Sequence, residues 1–207
     1  MLPPRGADPQ LDELVRRTEG LQPWRRVFHV VGGSCVAWVV YTLSPQSSST
    51  RWLVGIMLAV AFAGDLLRLR YVTFNRFAFR AFSALMCPHE VRRLSLTWFL
   101  LGVFLVLWLP EPGLAVPSLL VLAVADPAAS VVGRLWGTRP LGKGTMEGTL
   151  AFFIAALLAL APFVGTLAAL PVAAVVAAAE VLTTRVDDNV VIPLVTGGCL
   201  WALSGLG

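Results

Sequence analysis

Apolar residues come in seven runs along this chain, near 27–43, 52–67, 94–109, 114–132, 148–162, 171–182 and 190–206, separated by short polar connections. Continuous apolar stretches of this length predict membrane helices, because a helix needs about 20 apolar residues to cross roughly 30 Å of hydrocarbon. The run at 171–182 is too brief to cross at 1.5 Å per residue. It tilts, sits between neighbours, or continues the helix that precedes Pro171, so six helices compete with seven. The expected fold class is therefore all-α: a polytopic membrane bundle of six to seven transmembrane helices, some short or broken. Its expected organisation is a polar segment, 1–22, followed by one transmembrane catalytic domain, 23–207.

Composition agrees with that pattern and removes the alternatives. Of 207 residues, 57% are hydrophobic and 14% charged, against roughly 45–50% and about 25% in soluble domains. The first twenty residues carry both signs of charge and lack the apolar core of a cleaved signal peptide, so the expected mature protein is the whole chain. Cys35, Cys87 and Cys199 are dispersed with no metal-ligand or disulfide spacing and read as packing residues.

With seven helices and a cytoplasmic N-terminus, every one of the sixteen Lys and Arg residues except Arg51 falls on the cytoplasmic side, as the positive-inside rule requires. Such a distribution also orients helices against anionic lipid without any catalysis. The acids are the informative exception. Asp65, Glu90, Asp126, Glu147, Glu180, Asp187 and Asp188 gather at the same helix ends as the bases. An acid beside hydrocarbon is costly and ordinarily faces a bundle interior, water or a cation. Acids and bases on one face suggest bound metal and phosphate.

The richest stretch is Ala125–Phe153, ADPAASVVGRLWGTRPLGKGTMEGTLAFF. Pro127 disfavours helix at Asp126 and suits the first residue of a new helix, which predicts that Asp126 caps a broken helix and holds a divalent cation. Gly133, with Ala129, Ser130 and Gly137, keeps one face small, which admits either a ligand or a neighbouring helix. Arg134, Arg139 and Lys143, interleaved with glycines, suit a polyphosphate, although GKGT lacks the spacing of a P-loop. Glu147 is either a helix-start acid or part of a metal shell. Asp187, Asp188 and Asn189 form either a hard-cation site or a capped turn. Arg25 and His29 share one helix face.

Together these clusters resemble the integral-membrane CTP-dependent lipid kinases, which include dolichol kinase, phytol kinase and fungal-type diacylglycerol kinase. RRVFHVVGG, DPAASVVGRLWG, KGTMEGTLAFF and DDNVVIP stand in that family's order, over roughly residues 24–200. FNRFAFRAFSALMCPHEVRRLSLTWFLLG resembles the diacylglycerol kinase branch, keeping Glu90, Thr97 and Trp98 but placing Cys87 where that branch has arginine. The central signature is partly shared with CDP-diacylglycerol synthases, whose long C-terminal signature is missing here.

The resemblance implies a kinase that moves the γ-phosphate of CTP to a polyprenol, a phytol-like alcohol or diacylglycerol. It implies Mg2+ held by Asp126, Glu147, Asp187 and Asp188, and His29, Asp126 and Asp188 as catalytic groups. Nucleotide contacts fall to Arg25, Gly133, Arg134, Gly137, Arg139, Lys143, Glu147, Gly148 and Asn189. The expected setting is the bilayer, with the active site cytoplasmic and no nucleic-acid partner. Gly197, Gly198 and the alanine-rich 172–179 stretch leave a homodimer open. A cytidylyltransferase, a small ion transporter and a non-catalytic scaffold are the competing classes.

Overall fold

A computed structural model describes residues 8–18, 20–92, 94 and 96–205 of the chain, without the side chains of His89 and Arg92. The first seven residues of the expected polar segment thus lie outside it. Nine α-helices follow in order among the described residues: α1 (Pro9–Arg16), α2 (Pro23–Leu43), α3 (Ser48–Arg70), α4 (Val72–Ala81), α5 (Leu96–Val106), α6 (Ala115–Trp136), α7 (Met146–Val164), α8 (Thr166–Leu182) and α9 (Asp188–Ser204). A 3-10 turn at Pro88–Arg92 precedes α5, and a two-residue antiparallel hairpin, Pro140–Leu141 with Gly144–Thr145, joins α6 to α7.

Each of the seven apolar runs coincides with a helix. Four helical stretches, Pro23–Leu43, Ser48–Arg70, Pro112–Trp136 and Met146–Val164, are long and apolar enough to cross a membrane, and α5, α8 and α9 are shorter apolar helices. The run at 171–182 continues back through Pro171 to Thr166, where Gly165, at φ 76°, ends α7 and starts α8. Outward positions are apolar: Leu158 and Leu167 are 69% and 87% exposed. Water would not tolerate such a surface over a whole bundle, whereas lipid does.

The expected break at Asp126 does not occur. α6 runs uninterrupted from Ala115 to Trp136 with Pro127 inside it. Proline removes one helical N–H and crowds the preceding turn, but α6 is clasped by α2, α7 and α9. Packing on several sides holds the helix through the defect. Asp126 is therefore an interior helical residue and caps nothing.

Two apolar cores meet on α6. Val121, Leu122, Phe152, Leu160, Val172, Val176 and Ile192 form one, across α6 to α9. Ala37, Val40, Val103, Val106 and Leu119 form the other, across α2, α5 and α6. Glycine sets the closest crossings. A Cβ on Gly33 of α2 would come 2.8 Å from the Ala123 Cβ of α6, and a Cβ on Gly102 of α5 would land on the Asn189 carbonyl oxygen of α9.

Gly102→Ala should therefore force α5 and α9 apart, costing about 2 kcal/mol as overpacked cores do. Gly64→Ala, on α3 with nothing within 4 Å of the new Cβ, should cost nothing. Thermal unfolding of both variants in the same detergent checks the difference, and equal melting temperatures would dismiss the crossing as the cause.

Connectivity sends 43–48, 107–114, 165 and 204 to one end of the bundle and the remaining helix ends to the other. The first end carries Arg51, stacked 4.6 Å from the Trp108 ring, and Glu111, bonded by Ser204 at 2.6 Å. The described segments bearing the other basic residues lie at the opposite, basic end.

Candidate functional site

The basic end is assembled from α2, the end of α6, the hairpin and the α8–α9 junction. Because Gly33 brings α2 hard against α6, the first two turns of α2 face the last three turns of α6. Arg26 donates from Nη2 to Ser130 Oγ at 2.8 Å, and His29 Nε2 lies 3.9 Å from Asp126 Oδ2, beyond hydrogen-bond range. The His29 ring meets Phe99 edge-on at 6.1 Å. His29 Nε2 and Arg26 Nε are buried with no hydrogen-bond partner. Buried polar atoms in proteins are ordinarily satisfied, so two orphans one turn apart at the start of α2 mark that turn as a candidate place for a polar ligand.

Arg25 is held in a built support. Its Nη1 pairs with Glu90 Oε1 at 2.8 Å and donates to the Leu85 carbonyl at 3.2 Å. Glu90 also accepts from the Cys87 backbone at 2.9 Å, while the Cys87 Sγ donates to Gln22 Oε1 at 3.1 Å. Burial pushes the Cys87 thiol above its ordinary range, against the pull of Arg25. Behind them sits a buried polar network. Arg68 pairs with Asp65 at 2.9 Å and reaches Asn75 and the Glu90 carbonyl, and Asp65 accepts from Thr97 Oγ1 at 2.7 Å. Asn75 donates to the Val91 carbonyl at 2.8 Å. Asp65, Arg68, Asn75 and Glu90 thus brace the loop that carries Arg25's partner.

The hairpin supplies the second wall. Gly142, at φ 53°, has no room for a Cβ beside the Val181 carbonyl, and Lys143 N–H donates to that carbonyl at 3.1 Å. The hairpin is thereby fastened to the end of α8. Lys143 Nζ pairs with Asp188 Oδ1 and stands 3.7 Å from Glu180 Oε1. Asp126 lies within electrostatic reach of both Glu180 and Asp188, and of Arg25 and Arg26. Arg134 lies within such reach of Arg26 and donates to the Gly20 carbonyl at 2.6 Å.

So Asp126, His29, Lys143, Asp188, Arg25 and Arg134 come to one region, joined by Arg26, Ser130 and Glu180. In the sequence Arg26 and Glu180 stand out only as part of the charge pattern and the acidic cluster. The adjacent pair Arg25–Arg26, with His29 one turn on, is the signal that points to Arg26. The other expected site residues have local work. Glu147 accepts from Thr138 Oγ1 at 2.7 Å and from the Thr138 and Arg139 backbones, closing the turn before the hairpin. Asp187 caps α9 and takes the Asn189 side-chain amide at 2.7 Å. The Arg139 residue is exposed. Gly133, Gly137 and Gly148 serve the α6–α7 crossing: a Cβ on Gly148 would sit 3.0 Å from the Ala129 carbonyl oxygen, and one on Gly137 2.7 Å from Thr145 Oγ1.

Among the described residues no group of three or more His, Cys, Asp or Glu side chains stands ready to hold a metal. Magnesium does not require one. It commonly takes one or two carboxylates and completes its shell with water and substrate phosphate. Asp126 and Asp188, two hard donors in one field beside orphaned polar groups, fit that pattern.

The chain is 30% identical over 146 residues, 68% of its length, to CTP-dependent diacylglycerol kinase 1 of Eremothecium gossypii. It is 34% identical over 98 residues, 45% of its length, to the protein of that name from Schizosaccharomyces pombe, and 27% identical over 133 residues, 62% of its length, to that from Saccharomyces cerevisiae. The matched stretches cover only 45%, 45% and 46% of those relatives, so the chain spans about half their length. No family model and no solved structure matches. The order of the motifs and these three relatives agree, and the chain is a relative of the CTP-dependent membrane lipid kinases.

Proposed function

We propose that residues 23–207 form the catalytic domain of a CTP-dependent lipid kinase, with the basic end in the cytosol and diacylglycerol as the acceptor. The observation that carries this is the convergence of Asp126, Asp188, Lys143 and Arg26 at one membrane edge, in a chain whose curated relatives bear that activity in their names. The acceptor follows those names rather than the polyprenol or phytol alternatives.

Phosphoryl transfer asks for alignment and charge neutralisation more than for covalent chemistry. Lys143 and Arg26 neutralise the triphosphate from two walls, and Arg134 adds charge from the α6 end. Asp126 and Asp188 would hold magnesium, which when bound would supply positive charge against the charge that develops on the transferring phosphate. His29 is the favoured base, because its Nε2 is unpartnered while Asp188 is given to the metal. The acceptor hydroxyl oxygen attacks the γ-phosphorus, its proton passes to His29 Nε2, and the bond to the β-bridging oxygen breaks to release CDP.

Purified chain in lipid nanodiscs, supplied with Mg2+, CTP and dioleoylglycerol, should move γ label into a lipid phosphate. Incorporation of α label with cytidine would make the protein a cytidylyltransferase. Transfer to dolichol or phytol in preference to dioleoylglycerol would overturn the acceptor, and no transfer to any of them would overturn the kinase. Arg26→Gln should raise the KM for CTP about tenfold with a small change in kcat, the size of one lost hydrogen bond to a charged group. Steady-state kinetics on the same nanodiscs checks the split, and an unchanged KM would remove Arg26 from the nucleotide.

A further inference from the structure

α4 buries one face and exposes aromatic rings on the other. Its inner face, Asn75 and Phe79, is fully buried, with Phe79 packed against Leu11, Met86 and Val91. Its outer face carries Phe74 and Phe77, three residues apart and therefore neighbours on the helix surface, with Tyr71 and Phe82 at its two ends. These four rings are 53%, 64%, 55% and 54% exposed in that order. Among the described residues no packing accounts for a second aromatic face. At ten residues, about 15 Å, α4 is half the length needed to cross hydrocarbon.

Its position supplies the occupant. Tyr71 alone joins α4 to α3, in an extended conformation, with its N–H still bonded to Leu67 at 2.9 Å. The outward Phe62, Leu66 and Leu67 of α3 lead to that joint, so α4 follows directly on the apolar outer surface of a helix long and apolar enough to cross a membrane. Charge agrees with it. Between Asp65 and Glu90 the sequence holds Arg68, Arg70, Arg76 and Arg80 and no acid. Arg76 is tied to Asp8 at 3.1 Å and Arg68 to Asp65, whereas Arg80 is exposed beside the aromatic row. A short helix with an apolar face edged by arginine is the pattern of a segment that lies in the headgroup layer of an anionic membrane.

We propose that α4 is a membrane-surface helix lying in the leaflet at the basic end, with Phe74 and Phe77 among the acyl chains and Arg80 on anionic headgroups. This stands independently of the kinase reading. Its consequence is mechanical: Asn75 on the inner face bonds the Val91 carbonyl and is reached by Arg68, so the seat of α4 fixes the height of the site's supporting loop relative to the bilayer.

Replacing Phe77 by 4-(trifluoromethyl)phenylalanine in the full chain, reconstituted in vesicles of phosphatidylcholine with or without phosphatidylserine, gives a direct readout. Lipid-soluble oxygen should broaden the fluorine signal severalfold more than water-soluble nickel does, and phosphatidylserine should increase that contrast. The same probe at Phe79 should be sheltered from both agents. Arg80→Gln should remove most of the gain from phosphatidylserine. Stronger broadening by nickel would put the face in water and overturn the proposal. Shelter from both agents at position 77, relieved by diluting the protein with excess lipid, would assign the face to a second copy of the chain and overturn it equally. Indifference to phosphatidylserine would overturn the role given to Arg80.

Discussion

Asp126→Asn should lower transfer of the CTP γ-phosphate to diacylglycerol by about 10³-fold while leaving the thermal unfolding temperature unchanged. The substitution keeps the volume of the side chain and removes its charge. No close ion pair depends on that charge, for Asp126 is half-buried on a continuous helix and His29 stands 3.9 Å away. What is lost is a hard anionic donor in the field shared with Asp188 and Glu180. Removing one electrostatic element from a preorganised site typically costs 10²–10³ in rate. Asp187→Asn is the counterpart. Asp187 bonds its own helix N-terminus and Asn189, and Asn caps about as well as Asp, so that variant should retain most activity. Single-turnover transfer with γ-labelled CTP separates the two; an active Asp126→Asn protein would take the metal away from α6.

How much of this was legible in the sequence follows from the range of the forces involved. Burial in hydrocarbon is read residue by residue, so each apolar run marks a helix, and the helix from Thr166 to Leu182 differs from its run only in starting five residues earlier, before Pro171. Pro127 misled for the same reason. Its local preference is real, but packing of α6 against α2, α7 and α9 outweighs one missing hydrogen bond. α1 and α4 were invisible as apolar runs because Gln10, Asp12 and Glu13 interrupt the first and Asn75, Arg76 and Arg80 the second, although α4 buries one face. The charged residues were recognisable by type and order, yet their division of labour was not. Arg26 meets Ser130 only because Gly33 sets the α2–α6 register, and Asp187 and Glu147 are taken up by Asn189 and Thr138 nearby in the chain, which sequence order alone does not reveal.

Arg68→Met should destabilise the protein by about 3 kcal/mol, since removing one partner of a buried ion pair strands the other, and should lower the melting temperature by about 10 °C. Arg68 and Asp65 are 5% and 6% exposed, and the guanidinium contacts Asp65, Asn75 and the Glu90 carbonyl together. Methionine fills much of the same space and meets none of these acceptors. A structural brace of this kind predicts a specific pattern of rescue. Asp65→Leu combined with Arg68→Met removes both charges, so the double variant should recover more than half of the lost stability, and a double-mutant cycle should report strong coupling. Activity should not recover with it. Glu90 is held partly through its carbonyl to Arg68 and holds Arg25 at 2.8 Å, so an apolar brace leaves Arg25's support loose and the KM for CTP raised. Recovery of stability and KM together would mean that the network only fills space; recovery of stability alone places the brace in the chain of contacts that aims α2 at the site.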